Sequence, residues 1–463
     1  MERGASALAE CPCTRESNMR RPTPSSVAAF VLAGMALMSF PVAVAAQDEG
    51  RSEITYSLEV SRIVQENCQI CHQPGQIGPM SLLTYQQVRR YARRIKDLVV
   101  TREMPPYHYD TDVGVQELQG DWRMSEEDIQ TIAMWVDAGA PEGDPADLPA
   151  PVEFPPIGQW RLASQFGQPD HIIPSTPWTV PANGQDLWWE PQVPTGIVEE
   201  RCIKAIETKP SVPARGSTHH ANSQFMTQDE SGEWVSYGRL SEYAYGKLGE
   251  VVPSDACRVA PTDSRVSWSI HYYPDGNEVA DDQVEVGIWY HDEGFDREAS
   301  YPQDLRSYSL QGGAGFDIPP HGKLMTQGFH SFDHPVRLDS WQPHMHLRGV
   351  AMAIEVFDPA TGRREVLSQA SNWNAGWNLS HIYEEGHQPL IPAGATLILT
   401  GWYDNSADNP RNPDPDQWVA AGQRTTDEMS HAWIAITHLD EEGYQSMVAE
   451  RDAKPIAMNG AAR

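Results

Sequence analysis

Apolar positions recur at helical spacing up to residue 140 and in short alternating runs beyond residue 160. The stretch SEITYSLEVSRIVQEN, residues 52–67, puts Leu58, Ile63 and Val64 on one face and predicts a helix. Residues 85–100 do the same with Val88, Tyr91, Ala92, Ile95, Leu98 and Val99. A third helix starts at Ser125 with Asp128 three residues on, carries Ile129, Ile132, Trp135 and Val136, and stops at Gly139. Residues 140–157, APEGDPADLPAPVEFPPI, are rich in proline and acid, as an extended spacer is. After it, runs such as RVSWSIHYYPDG, QVEVGIWYH, AMAIEVFDPATG and ATLILTGWYDNS read as strands and turns. About 300 residues of that texture exceed one β-sandwich, so a small all-α domain followed by two all-β antiparallel domains is expected.

The first 46 residues have a different pattern. Met19-Arg20-Arg21 precedes the apolar run SSVAAFVLAGMALMSF, and PVAVAAQ offers small residues for cleavage after Ala46. This predicts a signal peptide over 1–46, with Met19 as an alternative start, and a periplasmic or secreted protein. An uncleaved anchor is the alternative. No later run reaches the 18 or more apolar residues of a membrane span. The formal net charge of −30 argues against nucleic acid and anionic membrane as partners. Of six cysteines, Cys11 and Cys13 fall in the segment to be removed and Cys68 and Cys71 in a motif. Cys202 and Cys257 remain, and in an oxidising compartment they are expected to pair; two buried thiols are the alternative.

The first helix ends in CQICH, Cys68 to His72, the attachment motif of a c-type haem. Two thiols add to the haem vinyl groups and the adjacent histidine faces the iron. A zinc site would need a second C-x-x-C, which the chain does not have. The second helix runs into TREMPPYH, where Met104 before two prolines is the expected distal ligand, with Met80 and His108 as rivals. CQICH, the downstream MPP and the helix with Trp135 together resemble a class I c-type cytochrome, placed at residues 47–140 with a linker over 141–160.

Three histidine features stand out in the β-rich half. His219 and His220 are adjacent in STHHANSQF, so a regular strand would point them to opposite faces and a bulge is needed for both to meet one metal. His271 ends the apolar strand SWSIHYY. In QPHMHLRG, His344 and His346 share a strand face and Met345 points away. Met429, in QRTTDEMSHAW, has polar flanks unlike those of a core methionine. His330, His334, His431 and His438 are read as structural or surface residues.

The order HH, HY, HMH, TTDEM resembles the type II copper, ascorbate-dependent monooxygenases, relatives of dopamine β-monooxygenase and peptidylglycine α-hydroxylating monooxygenase. HYYPDG and YDNSADNPRNPDP resemble bacterial members with a cytochrome domain in front. The resemblance spans roughly residues 195 to 440. It implies two jelly-roll domains, here 161–305 and 306–463, each holding one copper. It implies His219, His220 and His271 on an electron-transfer copper, and His344, His346 and Met429 on an oxygen-binding copper across a solvent cleft. O2 would then hydroxylate a C–H bond of a small organic substrate. Electrons would enter from an external donor through the haem held by Cys68, Cys71, His72 and Met104. Soft thioether and imidazole ligands suit copper, and no cysteine completes a blue-copper set. Where peptide-hydroxylating members place an arginine two residues before H-x-H, this chain has Gln342. A non-enzymatic haem and copper electron carrier, or an oxidase that inserts no oxygen, are the other readings.

Overall fold

The computed structural model describes residues 54–453 except 245, 248 and 310–316. The expected signal peptide lies outside the described residues. No described helix is long and apolar enough to cross a membrane.

Three helical segments form the first core. A run from Tyr56 to Asn67 is wound π over Tyr56–Val60 and α over Ser61–Asn67 (α1). Tyr85–Val100 (α2) opens on a capping box between Thr84 and Gln87, and Glu126–Asp137 (α3) is capped by Ser125, which accepts from the Asp128 N–H at 3.0 Å. Val64, Val88, Ile95, Val99, Ile132 and Trp135 bury against one another. These are the apolar positions spaced for it.

The rest is largely β-sheet. The labelled strands are Leu118–Gln119 (β1), Arg201–Lys209 (β2), Thr218–Gln228 (β3), Trp234–Ala244 (β4), Ala256–Ala260 (β5), Arg265–Tyr272 (β6), Glu285–Tyr290 (β7), Tyr301–Ser309 (β8), Lys323–Ser331 (β9), Val336–Met345 (β10), Gly349–Asp358 (β11), Arg363–Ala370 (β12), His381–Tyr383 (β13), Thr396–Asp404 (β14) and Ser430–His438 (β15). One long sheet runs β1-β13-β10-β15-β8-β5-β2-β7 and ends on His171–Pro174. Over its one half lies a sheet built on β6, β3 and β4, and Ile203, Ile206, Val286 and Ile288 meet Phe225, Leu240, Trp268 and Ile270 between them. Over its other half lies the sheet β9-β14-β11-β12, with Leu338, Trp341, Ile434 and Ile436 facing Met352, Ile354, Leu397 and Leu399. The sequence thus folds into two sandwich cores.

Three features of the join differ from a simple row of domains. The expected boundary between 305 and 306 falls inside β8, which pairs with β15 over Gln303–Ser309 and, at Tyr301 and Pro302, runs parallel to β5. The two sandwiches therefore share a sheet. A buried polar chain reinforces the seam. Lys247 contacts Glu242 and Glu250, Arg258 joins Glu250 to Gln303, and Gln303 donates to Asp339, which Arg337 holds at 2.9 Å. Finally, residues after Met104 leave the helical core. Tyr107, Tyr109 and Leu118 bury in the second sandwich, and β1 pairs with β13.

Cys202 and Cys257 form a disulfide that ties β2 to β5. Closing its loop contributes about 4 kcal/mol in the chain-entropy model.

Candidate metal centres

Strand β3 pairs with β6 in regular register from Met226 back to His220, opposite His271; then the register slips, and Thr218 faces Tyr272. His219 is the extra residue of that bulge, so two adjacent histidines can turn toward one point. The ligand-capable atoms of His219, His220 and His271 lie within 4.8 Å of one another. His220 Nε2 and His271 Nδ1 are 3.3 Å apart. Two imidazole nitrogens held about 2.0–2.1 Å from one tetrahedral ion are about 3.3 Å apart, so the pair fits a metal as it stands. Trp188, opposite His271 on a short strand, stacks on that ring at 4.2 Å and 7°. Asp186 Oδ2 lies 3.5 Å from His271 Nε2, a long electrostatic contact.

The second set forms where β10 ends. His344 and His346 have ring centroids 5.3 Å apart. Met345 points into the sandwich core and is fully buried. Its packing is tight: a Cβ on Gly349 would meet the Met345 Cβ at 2.5 Å. His344 Nδ1 contacts Asn378 Oδ1 at 3.3 Å and His346 Nδ1 contacts the Asp427 carbonyl at 3.2 Å. With Nδ1–H donating in each, both Nε2 atoms are left for a metal, the usual outer support of an imidazole ligand. Met429 is brought to this place by Glu428. The buried Glu428 carboxylate accepts the backbone N–H groups of His346, of Arg348 (2.9 Å) and of Met429 (3.0 Å). Tyr403 donates to the Met429 carbonyl at 3.0 Å. Burial raises the Glu428 carboxyl to about 7 against those three donors. His431 stands opposite His344 across β10 and β15, with centroids 4.6 Å apart.

Burial keeps these imidazoles neutral. It depresses His271 and His344 to about 4 and His346 to about 3, and holds His220 well below its ordinary value. Beyond burial, His219, His271, His344 and His346 add to the depression of His220. Three contacts bridge the interval that the resemblance implies is a solvent cleft. Thr425 donates to Asp186 at 3.3 Å, Gln342 donates to Glu242, and Arg239 lies over Trp433.

In the helical region, Cys68 and Cys71 are unpaired thiols and Cys68 is pushed up to about 12 by burial. His72 Nδ1 is 3.1 Å from the Met80 carbonyl, which leaves Nε2 as the ligand atom and engages Met80 through its backbone on the His72 side. Gly78 closes this loop. A Cβ there would lie 2.6 Å from His72 Nδ1 and 2.7 Å from the Cys71 carbonyl. These features fit a C-x-x-C-H haem cradle. His108 is buried against Trp373 of the second sandwich, away from the helical core. Met104 is half-buried at the end of α2, its N–H on the Leu98 carbonyl. The motif loop also touches the loop before β3. Arg215 donates to Gln76 at 3.1 Å, four residues ahead of His219.

Sequence reasoning missed Glu428, Asn378, Asp186, Trp188 and His431. Only Glu428 left a local signal, standing directly before Met429 in TTDEM. Of the remaining histidines, His334 Nε2 meets His438 Nδ1 at 2.7 Å, with Asp333 and Asp304 at the outer ends, and His330 contacts the Ser309 carbonyl.

No family model and no curated protein matches the chain. Among solved structures, the infectious bursal disease virus VP2 subviral particle aligns at 8% identity and a TM-score of 0.19, over 55% of this chain and 76% of that one. The PBSX exported protein XepA aligns at 9% identity and a TM-score of 0.16, over 50% and 86%. Likeness at that level carries no argument about function.

Proposed function

We propose that the protein is an exported copper-dependent monooxygenase, a class I c-type cytochrome followed by two copper-holding jelly-roll domains. It would convert a C–H bond of a small organic substrate to C–OH with O2. The observation that carries the reading is the presence in one chain of both assemblies: three imidazoles at ligand distance, and an H-x-H pair knit to a methionine loop through Glu428. A carrier or store of copper needs only one of them.

When bound, two copper ions and one covalently attached haem c supply the one-electron transfers and the O2 chemistry. Cys68 and Cys71 would hold the haem covalently, with His72 and Met104 as its axial ligands. His219, His220 and His271 would hold the electron-transfer copper, and His344, His346 and Met429 the oxygen-binding copper. The Met429 thioether favours the reduced ion and disfavours zinc. Depressed imidazoles stay deprotonated and available at neutral pH. Trp188 restricts rotation of His271, and Asn378 and the Asp427 carbonyl fix the other rings, so little would reorganise when a bound ion changed its charge. The Gln76–Arg215 contact supports electron entry at the first histidine set.

Metal analysis and isotope labelling test the reading. One haem and two coppers per chain are expected, with a product carrying label from 18O2. Water or peroxide as the sole reduced product would replace the monooxygenase with an oxidase. Reduced haem should be reoxidised faster with both coppers and O2 than without copper; equal rates would remove the relay.

A further inference from the structure

We propose that His334 and His438 form a further metal site, which takes a divalent transition-metal ion such as zinc and stands apart from both histidine sets. The proposal does not depend on the monooxygenase reading.

His438 ends β15, seven residues after His431, so about 23 Å of strand separates it from the second set. His334 lies in the loop between β9 and β10, two residues before Val336, which is opposite His438. Each ring has one nitrogen on a carboxylate. Asp333 Oδ1 is 2.5 Å from His334 Nδ1, and Asp304 Oδ2, on β8, is 3.2 Å from His438 Nε2. The other two nitrogens, His334 Nε2 and His438 Nδ1, face each other at 2.7 Å.

A count of protons shows what this arrangement can hold. An ionised carboxylate only accepts, so each outer nitrogen carries a proton. A neutral imidazole has one N–H, so both inner nitrogens are then lone pairs aimed at each other. At 2.7 Å they repel unless a cation lies between them. A metal ion meets that need with both rings neutral, and a carboxylate on the outer N–H is the usual support of a metal-bound imidazole. Imidazole ligands suit zinc, copper and nickel. Around a tetrahedral ion the two nitrogens sit about 3.3 Å apart, so the rings open by about 0.6 Å. His334 can supply that movement, because its side chain is 44% exposed on a loop, whereas that of His438 is 19% exposed at a strand end. Arg306 shares Asp304 at 2.7 Å and offsets part of its charge, while Asp333 and the net charge of −30 favour a cation. Two protein ligands leave the remaining positions of the ion to water.

Equilibrium dialysis of the haem- and copper-loaded full chain against zinc chloride, at about pH 7.5 where a free imidazole is neutral, tests this. Wild type should hold one more zinc per chain than His334→Gln, whatever the other histidine sets contain. His438→Gln should lose the same zinc, and Asp304→Asn should bind it at least about tenfold more weakly. Copper per chain and the haem spectrum should be the same in all four proteins. His334→Gln changes a half-exposed loop residue, so it reports on the site even if His438→Gln fails to fold. Zinc should also raise the thermal midpoint of wild type and not that of His334→Gln. Equal zinc in wild type and His334→Gln would make the binding adventitious, and no zinc in either would leave a shared proton as the only cation between the rings. Each of these results, or undiminished affinity in Asp304→Asn, would overturn the proposal.

Discussion

The backbone N–H groups of His346 and Met429 converge on one oxygen, Oε1 of Glu428. The HMH and TTDEM segments, with His346 and Glu428 82 positions apart, are thereby held as one unit, with Arg348 on the second oxygen. The clamp is made through the main chain. It fixes where the side chains start without occupying the imidazoles or the thioether.

Removing the clamp should cost both stability and a metal. Glu428→Ala leaves one buried and two part-buried donors without their acceptor, at up to about 1–3 kcal/mol for the buried one. Elemental analysis should find about one copper per chain in place of two, with the haem spectrum unchanged. Retention of both coppers would show that Glu428 has no part in the second site.

Met429 and Met345 should separate cleanly. Met429→Ala is expected to abolish turnover and leave the haem spectrum intact. Met345→Ala is expected to keep the copper content but to lower stability by about 2–5 kcal/mol, because it empties a fully buried core position. Met345→Leu, with nearly the same volume, should cost less than about 1.5 kcal/mol. Loss of copper in Met345→Leu would mean that the wrong sulfur has been assigned.

Mild acid should destabilise the metal-free protein. His271, His344 and His108 are depressed to about 4, and His346 and His381 to about 3, all by burial. The unfolded chain takes up these protons as the pH falls through about 6.5, while the folded chain takes them up only near 4 or below. Their stabilisation is complete above about 6.5 and is lost on the way down to about 4. Glu428, raised to about 7, acts in the opposite direction with Glu207 and Asp339, which burial also raises, but the depressed histidines, His220 and His431 among them, outnumber these three carboxyls. The urea midpoint should therefore be lower at about pH 5 than at about pH 7.5. An equal or higher midpoint at the lower pH would contradict this.

The Gln76–Arg215 contact gives the electron relay a kinetic test. Arg215→Ala should slow reoxidation of the haem in stopped flow while haem and copper contents stay constant. If the rate is unchanged, electrons enter elsewhere.

Much of the molecule follows from local pattern. The faces of α2 and α3, their caps at Thr84 and Ser125, and the same-face placement of His344 and His346 are set by periods of 3.6 and 2 and by short-range hydrogen bonds. The pairing of Cys202 with Cys257 followed from counting. The need for a bulge at His219 and His220 was also legible, because adjacent side chains on a regular strand diverge. The partner strand that creates the slip, β6 at His271, was not. The tertiary structure alone decided that β5 and β8 fuse two sandwiches into one sheet, and that the strap after Met104 buries in the second of them. It also decided that Asp186 and Asn378 contact rings far away in sequence, that Glu428 joins the main chain of His346 to that of Met429, that His431 lies beside His344, and that Arg239 crosses to Trp433. These relationships join positions tens to hundreds of residues apart. They arise from strand order and register, which sum over many weak contacts and leave no periodic mark in any one segment.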